Sequence, residues 1–199
     1  METYGKDVRI AFRHQPLPFH NHAMEAAEAS MAAHAQGKFW QMHDKMFANQ
    51  QALDRPALDK YAEEIGLNMG RYKADMDGHK HKANIEADSK AGNAVGANGT
   101  PAFFINGVSV SGAQPFEAFK AVIDKELPKA DALLKAGTPL DKLYEKILSS
   151  LPTTPQPSAP AGQAAPPPPT EKVEIAVGDA PTKGPKNAPI TIMEFSDFQ

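Results

Sequence analysis

No cysteine occurs among the 199 residues. That absence excludes disulfides, thiolate catalysis and cysteine metal sites together. An excess of either charge sign is also missing, with 21 Lys and Arg against 24 Asp and Glu, a formal net charge of −3 and a pI near 6.2. Such a balance gives no electrostatic footprint for nucleic acid or for an anionic membrane surface, and neither is expected as a partner. No apolar run approaches the length of a membrane span, and Met1-Glu2-Thr3-Tyr4-Gly5-Lys6-Asp7 lacks the apolar core and cleavage site of a signal peptide. Taken literally, the chain stays in the cytoplasm. What is present is 41% hydrophobic residues, enough for the core of one ordinary domain with appendages.

Val8, Ile10 and Phe12 alternate with Arg9, Ala11 and Arg13, the period of a strand. Prolines 16 and 18 force an extended crossing, after which Asn21 is the expected N-cap of a helix over His22 to Ala35, closed by Gly37. Helices follow: Phe39, Trp40, His43, Met46 and Phe47 form one stripe, and Leu58, Tyr61, Ala62 and Ile65 another behind Asp54 and Pro56. Asn68 is placed to cap a short helix ending near Gly78, and one more runs from about Lys80 to Val95. Asn98-Gly99-Thr100-Pro101 reads as a loop, Ala102 to Ile105 as a buried strand, and Asn106-Gly107 as a type I′ turn into a second strand. Pro115 then starts a helix with Phe116, Phe119 and Ile123 on one face, expected to stop at Pro128. Thr138-Pro139 caps another, with Leu140, Leu143, Tyr144, Ile147 and Leu148 in a regular stripe. Residues 151–170 are rich in Pro, Ala, Ser and Gln and read as an extended linker. Beyond it, Val173, Ile175 and Val177 alternate as a strand, and Ile190 to Asp197 is apolar on both faces, as a central strand is.

Gly99-Thr100-Pro101-Ala102-Phe103-Phe104-Ile105-Asn106-Gly107 resembles the cis-proline loop and following strand of DsbA-like proteins in the thioredoxin superfamily. The likeness continues through Val8 to His20 and through Gln114-Pro115-Phe116-Glu117-Ala118-Phe119-Lys120, covering most of residues 4–127. Ala188 to Gln199 resembles the first core strand of the same domain, which in that family leads into a Cys-x-x-Cys helix. The fold implied is α/β, a thioredoxin-like mixed sheet with a helical insertion, its first strands supplied by the C-terminal segment. The expected organisation is a DsbA-like domain over 1–127 lacking its first strands and redox helix, a helical extension over 128–150, the linker over 151–170, and over 171–199 the N-terminal strands of a DsbA-like domain. Those last strands either open a second repeat or complete the first domain in permuted order. Strand Ile190–Asp197 is expected between Val8–Arg13 and Ala102–Ile105, supplied by the same chain or by a neighbouring copy in a strand-swapped assembly. The resemblance would place Val173–Val177 at the sheet edge beyond Val8–Arg13.

The resemblance implies a thiol-disulfide oxidoreductase acting on protein thiols and disulfides, of which this chain is a catalytically incompetent part for lack of cysteine. The alternative is a redox-inert thioredoxin-like module that binds peptides or proteins. Thr100 and Pro101 would face the substrate peptide, and Pro101 is expected to follow a cis bond. Glu194 falls where the family has a buried acid, making it a candidate proton relay; read from the residues alone, it is an acid at a strand end reaching water or a basic partner. Asp197 reads as an exposed helix cap. His14, His20 and His22, with His79 and His81, lack the i, i+4 spacing of helical ligands, so no metal and no cofactor is expected. An oxidising compartment such as a periplasm is implied for the parent protein.

Overall fold

The computed structural model of the chain describes residues 3–150 and 175–199. In chain order the elements are β1 (Val8–His14), α1 (Ala23–His34), α2 (Phe39–Phe47), α3 (Arg55–Glu64), α4 (Met69–Asp77), α5 (Lys82–Ala94), β2 (Ala102–Ile105), β3 (Val108–Ser111), α6 (Phe116–Lys135), α7 (Leu143–Ser150), β4 (Thr182–Lys183) and β5 (Ile190–Ser196). Contacts divide the described residues into two compact units, one within Met1–Phe12 and Ala91–Phe195, the other within Arg13–Lys90 and Ser196–Gln199.

The first unit is built on a five-stranded sheet in the order β3-β2-β5-β1-β4. The expected α/β architecture, with a strand from the C-terminal segment inside the sheet, is what the chain adopts. β5 pairs antiparallel with β2, with Ile105 opposite Ile192 and Ala102 opposite Phe195. On its other side, Ile190 N donates to Asp7 O at 2.9 Å and Gln15 N to Ser196 O at 2.9 Å, so β5 and β1 run in the same direction. Period-two alternation explains the central position. Ile190 and Ile192 enter one apolar cluster with Val8, Ile105, Val110 and Ile123, while Met193 and Phe195 enter another with Ala11, Phe104, Tyr144 and Leu148. The hairpin between β2 and β3 turns on Asn106 and Gly107, at φ of 48° and 86°, as a type I′ turn requires. Buried Asn106 also ties this turn to β5, accepting from Thr191 N at 2.9 Å and donating to Pro189 O at 3.2 Å.

Several local expectations fail here. α6 does not stop at Pro128 but runs on to Lys135. An interior proline costs about 3 kcal/mol; Ala130, Leu133 and Leu134 beyond it pack with Leu143 and Ile147 of α7, and each buried aliphatic side chain returns about 1.5–3 kcal/mol. Phe116 is exposed rather than facing the sheet. The turn after Thr138 is a 3₁₀ turn over Leu140–Lys142 that starts after Pro139 without a side-chain cap, and Leu140 is exposed while Leu143, Tyr144, Ile147 and Leu148 are buried. Among the described residues the edge partner of β1, where Val173–Val177 is expected, is Thr182–Lys183, antiparallel, with Ile10 opposite Lys183 and Ala11 opposite Thr182. Ile175 spends its apolar side chain in the cluster around Met193 instead. Val173 and the linker over 151–170 lie outside the described residues.

The second unit is helical. α1 is rich in alanine, and buried Ala26, Ala29, Ala32 and Ala33 present almost no side chain to hold neighbouring helices apart. Its N-cap is His22 rather than Asn21. His22 N donates to Gln199 Oε1 at 2.9 Å, which sets the helix entry without an Asn21 cap. Asp54 and Asn68 cap α3 and α4 as expected, accepting from Ala57 N and Arg71 N. On α2 the fully buried line is Phe39, Met42 and Met46, and the other aromatic residues of the expected stripe are half-buried. Among the described residues no helix is long and apolar enough to cross a membrane.

Candidate functional site

In the sheet unit, Thr100 and Pro101 stand immediately before β2, and the peptide bond between them is cis. Both are half-buried. Gly112 N donates to Pro101 O at 3.0 Å, closing this loop against the end of β3. Two residues into β2, Phe103 lies directly opposite Glu194 of β5. Directly paired residues share a face of a sheet, so Glu194 stands on the face of Phe103, Ile192 and Ile105, one strand across from the loop. The ring of Phe103 meets Phe119 edge-on at 4.9 Å, making that face apolar around the acid. Among the described residues the Glu194 carboxyl has no hydrogen bond and no ion pair. Burial with no compensating charge pushes its carboxyl up to about 7. A carboxyl at that value is divided between its two protonation states at neutral pH, which is what a proton carrier needs.

In the helical unit, the last residues are anchored through their side chains. Asp197 is buried, not an exposed cap. One of its oxygens pairs with His20 Nδ1 at 2.7 Å and accepts from Leu17 N at 3.2 Å. These two bonds meet the needs of a carboxylate withdrawn from water. Phe198 is fully buried among His14, His43 and Phe47, with ring centroids 5.3–6.2 Å apart. His14 is buried beside Ser30, and burial lowers its pKa to about 3, so it is a neutral core residue. The other histidines separate: His79 pairs with Glu28 at 3.1 Å and His81 lies 3.6 Å from Asp75. Among the described residues no three His, Cys, Asp or Glu side chains come together as a metal site. The contact of Asp197 with His20 carries no local signal, because 177 positions separate the two residues.

A five-strand mixed sheet with a helical insertion between its strands is the architecture of a thioredoxin-like domain. The profile of the DSBA-like thioredoxin domain matches residues 1–124, and the chain belongs to that family. Among curated proteins it is similar to a Na(+)/H(+) antiporter NhaA of Herminiimonas arsenicoxydans, 40% identical over 121 residues, or 61% of this chain and 19% of that protein. It is also similar to Na(+)/H(+) antiporter NhaA 3 of Salinispora tropica, 38% identical over 58% of this chain and 18% of that protein. A third relative is NhaA 1 of Salinispora arenicola, 36% identical over 59% and 18%. The matched part is thus less than a fifth of the length of these relatives. No solved structure matches the chain.

Proposed function

We propose that this chain supplies the substrate-facing body of a thiol-disulfide exchange module acting on protein thiols and disulfides, with Thr100 and Pro101 meeting the substrate peptide and Glu194 carrying a proton. The observation behind this reading is the position of Glu194, one strand from the loop, with its carboxyl pushed up to about 7. In exchange, a thiolate attacks one sulfur of a disulfide, the S–S bond breaks, and the departing sulfur takes up a proton. A carboxyl that titrates near neutrality can take the proton of the attacking thiol and return one to the departing thiolate. The nucleophile itself must come from a cysteine outside these 199 residues, so the chain alone is expected to be inactive. The parent protein would work in an oxidising compartment such as a periplasm, where disulfides persist. The antiporter name of the relatives offers a second context, a module of this family within a longer membrane protein.

The test is an NMR titration of the isotope-labelled chain with a cysteine-containing peptide, run beside an insulin-reduction assay. Saturable shifts at Thr100 to Phe103 with no insulin reduction are expected. Shifts confined to other regions, or reduction by the pure chain, reject the reading. The absence of cysteine favours a second reading, a redox-inert module that binds peptides for their own sake. A serine-substituted peptide that binds as tightly would support it, as would a stop codon directly after codon 199 in the gene; an in-frame Cys-x-x-Cys there supports the first.

A further inference from the structure

We propose that a pocket in the sheet unit, between α7 and the segment 176–186, binds a small zwitterion: a carboxylate that also carries an ammonium group, on an apolar body. The inference is independent of the thiol chemistry above. The cavity measures about 570 Å³, inside the range of about 300–1,000 Å³ usual for small-molecule sites. Its distinguishing residue is Arg9, half-buried on β1. Arg9 Nε donates to Thr191 Oγ1 at 2.8 Å, Nη1 donates to Lys186 O at 2.5 Å, and the guanidinium lies 5.8 Å from the centre of the Tyr144 ring. Three contacts therefore fix the plane of the group while leaving further N–H donors for a ligand. Among the described residues no carboxylate pairs with Arg9, and burial lowers its pKa. A guanidinium held in place, partly withdrawn from water and lacking an anion is a prepared carboxylate site.

The remaining lining narrows the ligand. Lys186 adds a second cation, while Asp141 and Glu145 place two acids on the same pocket, and Leu148 and Val177 make it partly apolar. Among the described residues neither acid pairs with Arg9, and Glu145 is engaged only by exposed Lys142 at 3.3 Å. A dianion such as phosphate would meet repulsion from both acids. A molecule with one carboxylate and one ammonium satisfies both ends at once, and an aliphatic side chain fits against Leu148 and Val177.

The test uses the full chain and three matched probes, L-leucine, N-acetyl-L-leucine and L-leucinamide, with inorganic phosphate as a fourth, followed by amide NMR shifts. Saturable shifts at Gly178 and Gly184 are expected with L-leucine, and affinity about ten-fold weaker for each probe that lacks one charge. Arg9→Lys, which keeps the charge but loses the fork, should weaken L-leucine by a similar factor. Because Arg9 also holds Thr191 and Lys186, the exposed double variant Asp141→Asn/Glu145→Gln serves as the second arm, bringing L-leucine down to the affinity of N-acetyl-L-leucine with the fold intact. The proposal is overturned if L-leucine gives no saturable shift, if phosphate or N-acetyl-L-leucine binds as tightly, or if the double variant binds L-leucine unchanged.

Discussion

Replacing Glu194 by glutamine should stabilise the protein, and only above mildly acidic pH. The carboxyl ordinarily titrates at 4.5 and is raised to about 7 by burial alone. Below 4.5 it is protonated whether the chain is folded or not, so it exerts no pH-dependent effect. Between 4.5 and 7 the unfolded chain releases the proton while the folded one keeps it, and stability falls. Above 7 the penalty is constant. At about 1.36 kcal/mol per unit of separation, that interval sets an upper figure of roughly 3 kcal/mol at pH 8, reduced by whatever water reaches the half-buried carboxylate. Glutamine has the shape of the protonated acid and no charge to bury. Glu194→Gln should therefore match the parent at pH 4 and exceed it by up to roughly 3 kcal/mol at pH 8, about 6–12 °C in Tm for a chain of this size. Urea unfolding followed by circular dichroism across pH 4–8 measures the difference. His14 imposes its own pH dependence, because its lowered pKa costs stability as pH falls below 6.5, but it is common to both proteins and cancels in the comparison at each pH. Parallel stability curves from pH 4.5 to 8, or a Glu194 carboxyl carbon titrating near 4.5 by NMR, would refute the reasoning.

Asp88 accepts from Arg13 Nη1 and from His14 N, yet burial outweighs the guanidinium and raises its pKa. Asp88→Ala should cost roughly 3 kcal/mol by leaving those donors unpaired, and Asp88→Asn less because its amide oxygen still accepts one bond; equal losses in urea unfolding would contradict this account. Gly107, at φ of 86°, should lose about 1–2 kcal/mol on substitution by alanine, whereas an unchanged unfolding midpoint would mean the turn does not depend on its left-handed backbone. A neighbouring copy can supply β5 with the same ladder bonds, so refolding at high concentration should trap a species of twice the 21.4 kDa chain mass; light scattering that returns only the single mass at every concentration rejects strand exchange.

Much of the fold was legible because its signals are local. Asn106-Gly107 specifies its turn within two residues, and Asp54 and Asn68 specify helix starts three residues ahead. The features that were misread depend on residues far away in sequence. Whether α6 crosses Pro128 is decided by what α7 buries against Ala130. Asp197 looked like a surface cap because nothing near it in sequence reports that Leu17 N and His20 Nδ1 will meet its carboxylate. Arg9 reads as the polar half of an alternating strand, and its neighbours come from two distant parts of the chain, Tyr144 from α7 and Lys186 and Thr191 from the C-terminal segment.

β5 shows where a local pattern carries both kinds of information. Its alternation on two faces is satisfied by Ile190, Ile192, Met193 and Phe195, each buried in an apolar cluster, and that consistency is why its central position followed from sequence. Glu194 is the one charged residue of the strand. A charged residue in a central strand is expensive unless paired, and this one has no partner among the described residues, so the strand must tolerate a proton that binds more tightly than in water. Glutamine or leucine would make a more stable strand at neutral pH. Stability therefore does not account for an acid at this position, and the proton transfer we propose beside the Thr100-Pro101 loop would give it a use.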